Sequence, residues 1–325
     1  MIIVTGAAGF IGSNIVAALN EQGRDDIVVC DWLGQDLRWQ NLRKRMFRDF
    51  VFPNDLMDYL SRVRPDAIIH MGANSSTTAA DGDELMRVNA KFTLALIDYC
   101  AEAGVPLIYA SSAATYGEGE NGFVDDGSLK ALKLLRPLNL YGWSKHLIDQ
   151  IVAERIEKGL PLPPKCIGLK FFNVYGQNEY HKGGMISVVG KNYENVAQGG
   201  GVDLFKSHRA GIEDGGQRRD FISVDDVVAV TLWFLDHGPA HGLFNVGTGV
   251  AASFRELVEA LFAAVGRPPK IHYVPMPEHL RERYQYYTCA STENLRRAGY
   301  AAPFANVMEG VARYASYLGA PDRFR

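Results

Sequence analysis

Short apolar runs alternate with amphipathic stretches through the first half of the chain. The runs Ile2–Thr5, Ile27–Cys30, Ala67–His70, Leu107–Ser111 and Cys166–Phe171 predict strands. Apolar residues return at helical spacing in Ile11–Leu19, Leu85–Cys100 and Leu147–Ile156. Strands and helices in alternation make parallel βαβ units rather than a sandwich or a helical bundle. The proline-rich stretch Leu160–Pro164 ends the last of these helices and leads into the strand at Cys166. After Asn173 the alternation fails and glycines concentrate between Gly199 and Gly216, until Asp220–Leu235 and Phe244–Gly247 resume it. The expected organisation is an α/β fold, with a doubly wound parallel sheet from residues 1–172 plus 220–249. A smaller C-terminal α/β substrate domain is expected from 173–219 plus 250–325.

With 325 residues, 47% hydrophobic and 22% charged, the chain can bury one large core or two modest ones, which excludes disordered and fibrous classes. No apolar run approaches the roughly 18 residues of a membrane span. Met1–Thr5 enters a strand without a basic leader or cleavage site, so a cytoplasmic protein with no membrane partner is expected. Cys30, Cys100, Cys166 and Cys289 stand far apart with no Cys-x-x-Cys or Cys/His cluster, which predicts reduced thiols and no metal site. The formal charge of −3 offers no general attraction for nucleic acid, and Arg43-Lys44-Arg45 is short enough to be a solvated face.

The segment Thr5-Gly6-Ala7-Ala8-Gly9-Phe10-Ile11-Gly12 follows a predicted strand and opens a predicted helix. In that setting Gly6, Gly9 and Gly12 permit a tight turn, close approach of backbone amides to a pyrophosphate and close packing of helix on strand. This is the dinucleotide-binding arrangement of the Rossmann fold. Asp31 follows the second strand, where a carboxylate accepts hydrogen bonds from the adenosine ribose. Alone it favours NAD, because it repels a 2′-phosphate. Arg38 and the Arg43–Arg45 cluster offset that repulsion by pairing with the phosphate, so NADP is the expected cofactor and NAD the alternative.

Tyr141-Gly142-Trp143-Ser144-Lys145 is preceded by Ser111-Ser112-Ala113-Ala114-Thr115-Tyr116-Gly117 at a strand end. On a helix Tyr141 and Lys145 lie one turn apart on one face, so the ammonium is expected to lower the phenol from about 10 toward neutrality. Ser112 is placed to hydrogen-bond the oxygen of an alcohol or carbonyl. Ser112, Tyr141 and Lys145 together read as a hydride-transfer site.

These motifs, with Arg219-Asp220-Phe221-Ile222-Ser223-Val224-x-Asp226, resemble the extended short-chain dehydrogenase/reductases that act on nucleotide sugars. Within that superfamily the chain is similar to the ADP-L-glycero-D-manno-heptose 6-epimerase family over nearly its whole length. The residues that carry the resemblance are Gly72-Ala73-Asn74-Ser75-Ser76-Thr77-Thr78, Phe172-Asn173-Val174-Tyr175-Gly176, His181-Lys182-Gly183, Leu232-Trp233-Phe234-Leu235 and Arg283-Tyr284-Gln285. The resemblance implies inversion at C6 of ADP-D-glycero-D-manno-heptose, a precursor of the lipopolysaccharide core. The route is transient oxidation to a 6-ketone and re-reduction on the other face with tightly bound NADP. It also implies a homo-oligomer. Lys182, which alone reads as a solvated or phosphate-pairing lysine, becomes the second acid/base beside Tyr141.

By the same resemblance Phe10, Ile11, Asp31, Trp32, Arg38, Met71, Gly72, Ala73, Asn74, Ser75, Asn89, Lys145, Val174 and Lys182 fall on cofactor positions, Arg38 replacing a usual lysine. Asn173, Gly184, Lys191, Phe205, Arg219, Arg283 and Tyr284 fall on substrate positions, and the planar fork of Arg219 suits a diphosphate. Gly184 stands where the family commonly has serine, Lys191 where it has histidine, and Lys206–Gln217 is longer than usual, adding His208, Arg209 and Asp214. These departures keep a hexose 4-epimerase open as an alternative. A 4,6-dehydratase would need an acidic pair where Ala113-Ala114 stand, and a non-catalytic cofactor sensor would not need both Tyr141 and Lys145.

Overall fold

The computed structural model describes residues 1–281 and 284–325. Among these, the strands in chain order are β1 (Ile2–Thr5), β2 (Ile27–Cys30), β3 (Asp49–Val51), β4 (Ala67–His70), β5 (Leu107–Ser112), β6 (Cys166–Phe171), β7 (Asn173–Tyr175), β8 (Val202–Phe205), β9 (Arg218–Arg219), β10 (Phe221–Ser223), β11 (His241–Val246), β12 (Ala252–Ser253) and β13 (Ile271–Val274). Seven form a parallel sheet in the order β11-β6-β5-β4-β1-β2-β3. The order in which strands are added reverses between β1 and β4, which pair in parallel with Thr5 opposite His70. Such a reversal opens a crevice at the carboxyl ends of the two strands.

Side chains alternate across the sheet, and both faces are apolar because both are covered. On one face Ile3, Val28, Ile68, Leu107 and Tyr109 pack with Leu96 and Ile97 of helix Phe92–Ala103 and Ile148 and Val152 of helix Leu140–Lys158. On the other, Ile2, Val4, Ile27, Val29 and Ile69 meet Ile15, Val16 and Leu19 of helix Phe10–Glu21 and Val224 and Val228 of helix Val224–Asp236. The doubly wound expectation is met.

The region where the sequence pattern fails holds short ribbons, β7 with β10, β9 with β12 and β8 with β13. A separate core of Val189, Val196, Leu204, Leu257, Leu261, Val311 and Tyr314 forms there beneath helices Val188–Ala197, Phe254–Ala264 and Val307–Leu318. The last two helices begin in capping boxes, Ser253 with Glu256 and Asn306 with Glu309, which satisfy backbone N–H groups that a helix start leaves free.

One expected helix differs. Leu85–Cys100 is interrupted by a π turn at Met86–Lys91, with α-helix at Gly82–Leu85 before it and Phe92–Ala103 after it. The wider turn carries the buried Asn89, and such widened turns gather at functional sites. Among the described residues no helix is long and apolar enough to cross a membrane. Cys30, Cys100 and Cys166 are buried free thiols, and Cys289 is half-buried.

Candidate active site

β1 turns directly into helix Phe10–Glu21, and the glycines set how closely the two approach. Gly6 has φ +65°, and a Cβ there would lie 2.6 Å from the backbone nitrogen of Gly72. A Cβ on Gly12 would lie 2.1 Å from the Gly6 carbonyl oxygen. The helix starts at Gly9 with no side-chain cap and no acidic residue in its first turn. Its first N–H groups are therefore available to an anion, and the cradle fits a dinucleotide pyrophosphate. Beside it, the buried Asp31 carboxylate accepts from the N–H groups of Ala8 and Trp32, each at 2.8 Å. Desolvation raises its pKa, and those backbone hydrogen bonds oppose the rise.

A cavity of about 690 Å³ opens here. Its walls bring together Gly6, Gly9, Phe10, Ile11, Gly12, Asp31, Trp32, Arg38, Met71, Gly72, Ala73, Asn74, Ser75 and Val174 with Ser112, Tyr141, Lys145 and Lys182. Asn89 stands behind this wall. Its side chain exchanges hydrogen bonds with the Asn74 backbone at 2.8 and 3.0 Å and donates to Ser144 Oγ at 3.0 Å, so it shapes the Asn74 loop. Arg38 lies on the wall but is paired with Asp36 at 2.7 Å. Arg43 and Lys44 face away, bound to Asp322 at 2.7 and 3.0 Å. The expected Arg43–Arg45 contribution to a phosphate site is not seen, because none of the three lines the cavity and Asp322 holds Arg43 and Lys44.

At the reacting end, Asn139 caps helix Leu140–Lys158 through the Gly142 N–H at 2.8 Å. Gly142 permits a close approach, since a Cβ there would be 2.7 Å from the Ala114 carbonyl oxygen. This seats Tyr141 against the end of β5, where Ser112 hydrogen-bonds it. Desolvation raises the phenol's pKa, the Ser112 bond offsets part of the rise, and the Asp149 charge adds to it. The lysine's expected lowering of the phenol is not observed. Lys145 is itself buried and is pulled down to about 8 by desolvation, with Asp149 opposing.

Lys182 reaches the cavity from the turn at Tyr180–Met185. Its ammonium lies 3.6 Å from the fully buried Glu179 carboxylate and 5.0 Å from the centre of the Phe10 ring. Glu179 in turn accepts from the Ser187 hydroxyl and N–H at 2.5 and 3.0 Å. Burial holds neighbouring His181 down to about 4, helped by the Arg38 charge.

The other expected substrate residues stand away from this cavity wall. Phe205, Arg219 and Tyr284 form one cluster, with the Phe205 and Tyr284 rings edge to face at 6.1 Å and the Arg219 guanidinium 5.4 Å from the Tyr284 centroid. Phe254 flanks the guanidinium on another side at 5.8 Å, and Arg219 donates to the carbonyls of Arg218 and Gln285. Asn173 is exposed at the start of β7 and accepts from Thr288 at 3.3 Å. Gly184 and Lys191 are exposed, and Arg283 lies outside the described residues. The long Lys206–Gln217 segment covers Tyr286, with Arg209 4.3 Å over its ring and 3.6 Å from Glu118.

Sequence reasoning passed over Glu179 and Asp149. Asp149 was findable, because it continues the Tyr141–Lys145 spacing by one further helical turn. Glu179 carried no signal, since its burial depends on contacts distant in sequence.

The sheet order, glycine cradle and crevice define a dinucleotide-binding α/β protein. The chain belongs to the NAD dependent epimerase/dehydratase family, whose model matches residues 2–247, and its cofactor is a nicotinamide dinucleotide. It is 46% identical to an ADP-L-glycero-D-manno-heptose-6-epimerase of Nitratidesulfovibrio vulgaris strain DP4 over 330 residues, covering 100% of both chains. Its structure is similar to that of a Helicobacter pylori ADP-L-glycero-D-manno-heptose-6-epimerase, with 27% identity, TM-score 0.82 and coverage of 98% of this chain and 96% of that one. It is also similar to a Thermotoga maritima UDP-glucose 4-epimerase solved with UDP-glucose, with 25% identity, TM-score 0.78 and 98% coverage of both.

Proposed function

We propose that this protein inverts C6 of the heptose in ADP-D-glycero-D-manno-heptose, giving the L-glycero form. The observation that carries the reading is the presence of Tyr141 and Lys182, from separate segments, on one cavity that also contains the glycine cradle. Full-length identity of 46% to an enzyme named for this reaction supports the sugar and its nucleotide. The nicotinamide dinucleotide, when bound, supplies a reversible hydride acceptor. Gly6, Gly9 and Gly12 would hold its pyrophosphate and Asp31 its ribose. We assign NADP, on the position of Arg38 at the wall beside Asp31.

The chain's own residues handle the proton. Ser112 hydrogen-bonds the C6 oxygen and, through Tyr141, keeps the phenol directed at the same atom. Tyr141 takes the hydroxyl proton of one epimer as the alcohol becomes a ketone and returns a proton as the ketone is reduced. Lys182 does the same for the other epimer, whose C6 oxygen is turned away from Tyr141. One fixed group cannot reach both orientations. Lys145, one helical turn along from Tyr141, steadies the phenolate when it forms. Arg219, Phe205 and Tyr284 would hold the nucleotide diphosphate, while Asn173, Gly184, Lys191 and Arg283 would face the sugar. The proposal includes cofactor and substrate portions divided as 1–172 plus 220–249 and 173–219 plus 250–325. It also includes homo-oligomeric assembly and a cytoplasmic location.

The test is incubation of purified protein with ADP-D-glycero-D-manno-heptose and no added reductant, following the C6 epimer ratio by NMR, beside Lys182→Ala. Equilibration by the wild type and its near-loss in the variant support the substrate and both proton-transfer assignments. Failure of the wild type with cofactor bound would overturn the heptose reading and favour a hexose 4-epimerase, the activity named for the Thermotoga relative.

A further inference from the structure

The turn leading to Lys182 is held from a distant part of the chain. Asn178 is fully buried and, among the described residues, is alone of the non-glycines in the left-handed region, at φ +69°. Such a conformation persists only where the surroundings over-determine it. Here three segments do so. The Asn178 Nδ2 donates to Ser13 Oγ at 3.1 Å, its carbonyl accepts from Asn41 Nδ2 at 3.1 Å, and its Oδ1 accepts from the Arg325 N–H at 3.0 Å. One residue earlier, the Gln177 carbonyl accepts from Asn14 at 2.9 Å.

Arg325 connects this turn to the first helix. Its guanidinium pairs with Glu21 at 2.7 Å and Asp225 at 3.1 Å, and its side chain is only 14% exposed. The preceding residues add to the grip. The Tyr180 hydroxyl donates to the Arg323 carbonyl at 2.8 Å, and the Phe324 ring meets the Tyr180 ring edge to face at 5.2 Å. Asp322 is bound by Arg43 and Lys44. On the far side of Lys182, Gly183 and Gly184 are exposed, and the next side-chain tie is Ser187, whose hydroxyl and N–H donate to Glu179. The ties on both sides of Lys182 thus converge on Asn178 and its neighbour Glu179.

We propose that Arg325 and Asn178 are positioning residues for Lys182, acting through the Asn178–Tyr180 turn. This rests on the role given to Lys182 above. Misplacing a reacting group by about 1 Å can cost on the order of 10²-fold in rate. For Arg325→Ala the expected kcat is thus lower by up to about a hundredfold, with KM for ADP-heptose within about threefold of wild type. Arg325→Lys retains the charge partners and is expected to recover most of the loss. Two readouts need no substrate. Amide exchange across 178–186 should rise by about tenfold or more while the seven-stranded sheet is unchanged, and Lys182 should label faster with an amine-selective reagent, read by mass spectrometry. Asn178→Gly removes the side-chain ties without backbone strain and should reproduce the Arg325→Ala pattern.

Unchanged exchange and labelling in both variants would overturn the proposal. So would loosening of the turn with kcat intact, or exchange that rises equally throughout the sheet. If the wild type fails to epimerise ADP-heptose, the substrate reading falls, while exchange and labelling still decide whether Arg325 places Lys182.

Discussion

The Lys170 ammonium lies 2.5 Å from the Asp149 carboxylate, and neither side chain reaches solvent. Lys170 also donates to Thr115 Oγ1 at 2.7 Å, and Asp149 accepts from Ser111 Oγ at 2.7 Å. The pair thus joins β5, β6 and helix Leu140–Lys158 directly behind Ser112 and Tyr141. Removing one partner of a buried pair leaves an uncompensated charge, which costs about 3–5 kcal/mol, whereas replacing both with apolar groups is often neutral. Lys170→Met should destabilise by about that amount in urea unfolding, and Lys170→Met with Asp149→Leu should recover most of it. An additive double variant would show that the two charges do not compensate one another.

Gly12→Ala should separate cofactor binding from folding. The new Cβ would meet the Gly6 carbonyl at 2.1 Å, and relief by shifting the helix costs about 1–3 kcal/mol. Dinucleotide affinity is expected to fall about ten- to a hundredfold in titration calorimetry, with circular dichroism unchanged. Undiminished affinity would mean that the turn does not hold the pyrophosphate.

Arg38→Ala tests the cofactor choice. A charge-assisted bond contributes about 1.5–3 kcal/mol, so the Kd for NADP should rise by at least about tenfold while that for NAD moves little. Equal changes for both would assign Arg38 to Asp36 alone, its observed partner at 2.7 Å.

His70 gives stability an acid limb. Its ring nitrogens contact Thr5 at 2.6 Å and Thr93 at 2.8 Å, and burial, followed by the Lys145 charge, pulls its pKa down to about 3 from the ordinary 6.5. Between those values the unfolded chain binds the proton and the folded chain does not, so this group's contribution is flat above pH 6.5 and declines as pH falls toward 3. Urea unfolding across that window should show a steeper loss for wild type than for His70→Gln, and parallel curves would refute the assignment.

The cofactor half was readable because its signals are local. A strand, a glycine turn and a helix follow one another in sequence, so Gly6, Gly9 and Gly12 announce their own geometry. Tyr141 and Lys145 share a helix face for the same reason. The place of Asn89 was not legible, because the π turn at Met86–Lys91 has no marked pattern; its side chain bonds Asn74 and Ser144 behind the cavity wall. The phenol's pKa was also misread. Helical spacing gives the distance to Lys145 but not the desolvation that raises the phenol's pKa. The ribbons around Arg219 escaped notice because strands of two to four residues show no usable period. Glu179 and Arg325 became visible only once separate segments were brought together.

The side chains of Asn14 and Asn41 bond the carbonyls of Gln177 and Asn178, fastening the Lys182 turn to the scaffold that also bears Tyr141. The span between Tyr141 and Lys182 is consequently set during folding. In the mechanism proposed above, stereochemical inversion then falls to the tumbling of the ketone between these two fixed groups. Crowding the space between them should impair the mixing of configurations before it impairs oxidation, so a variant could release the original epimer while still exchanging hydride.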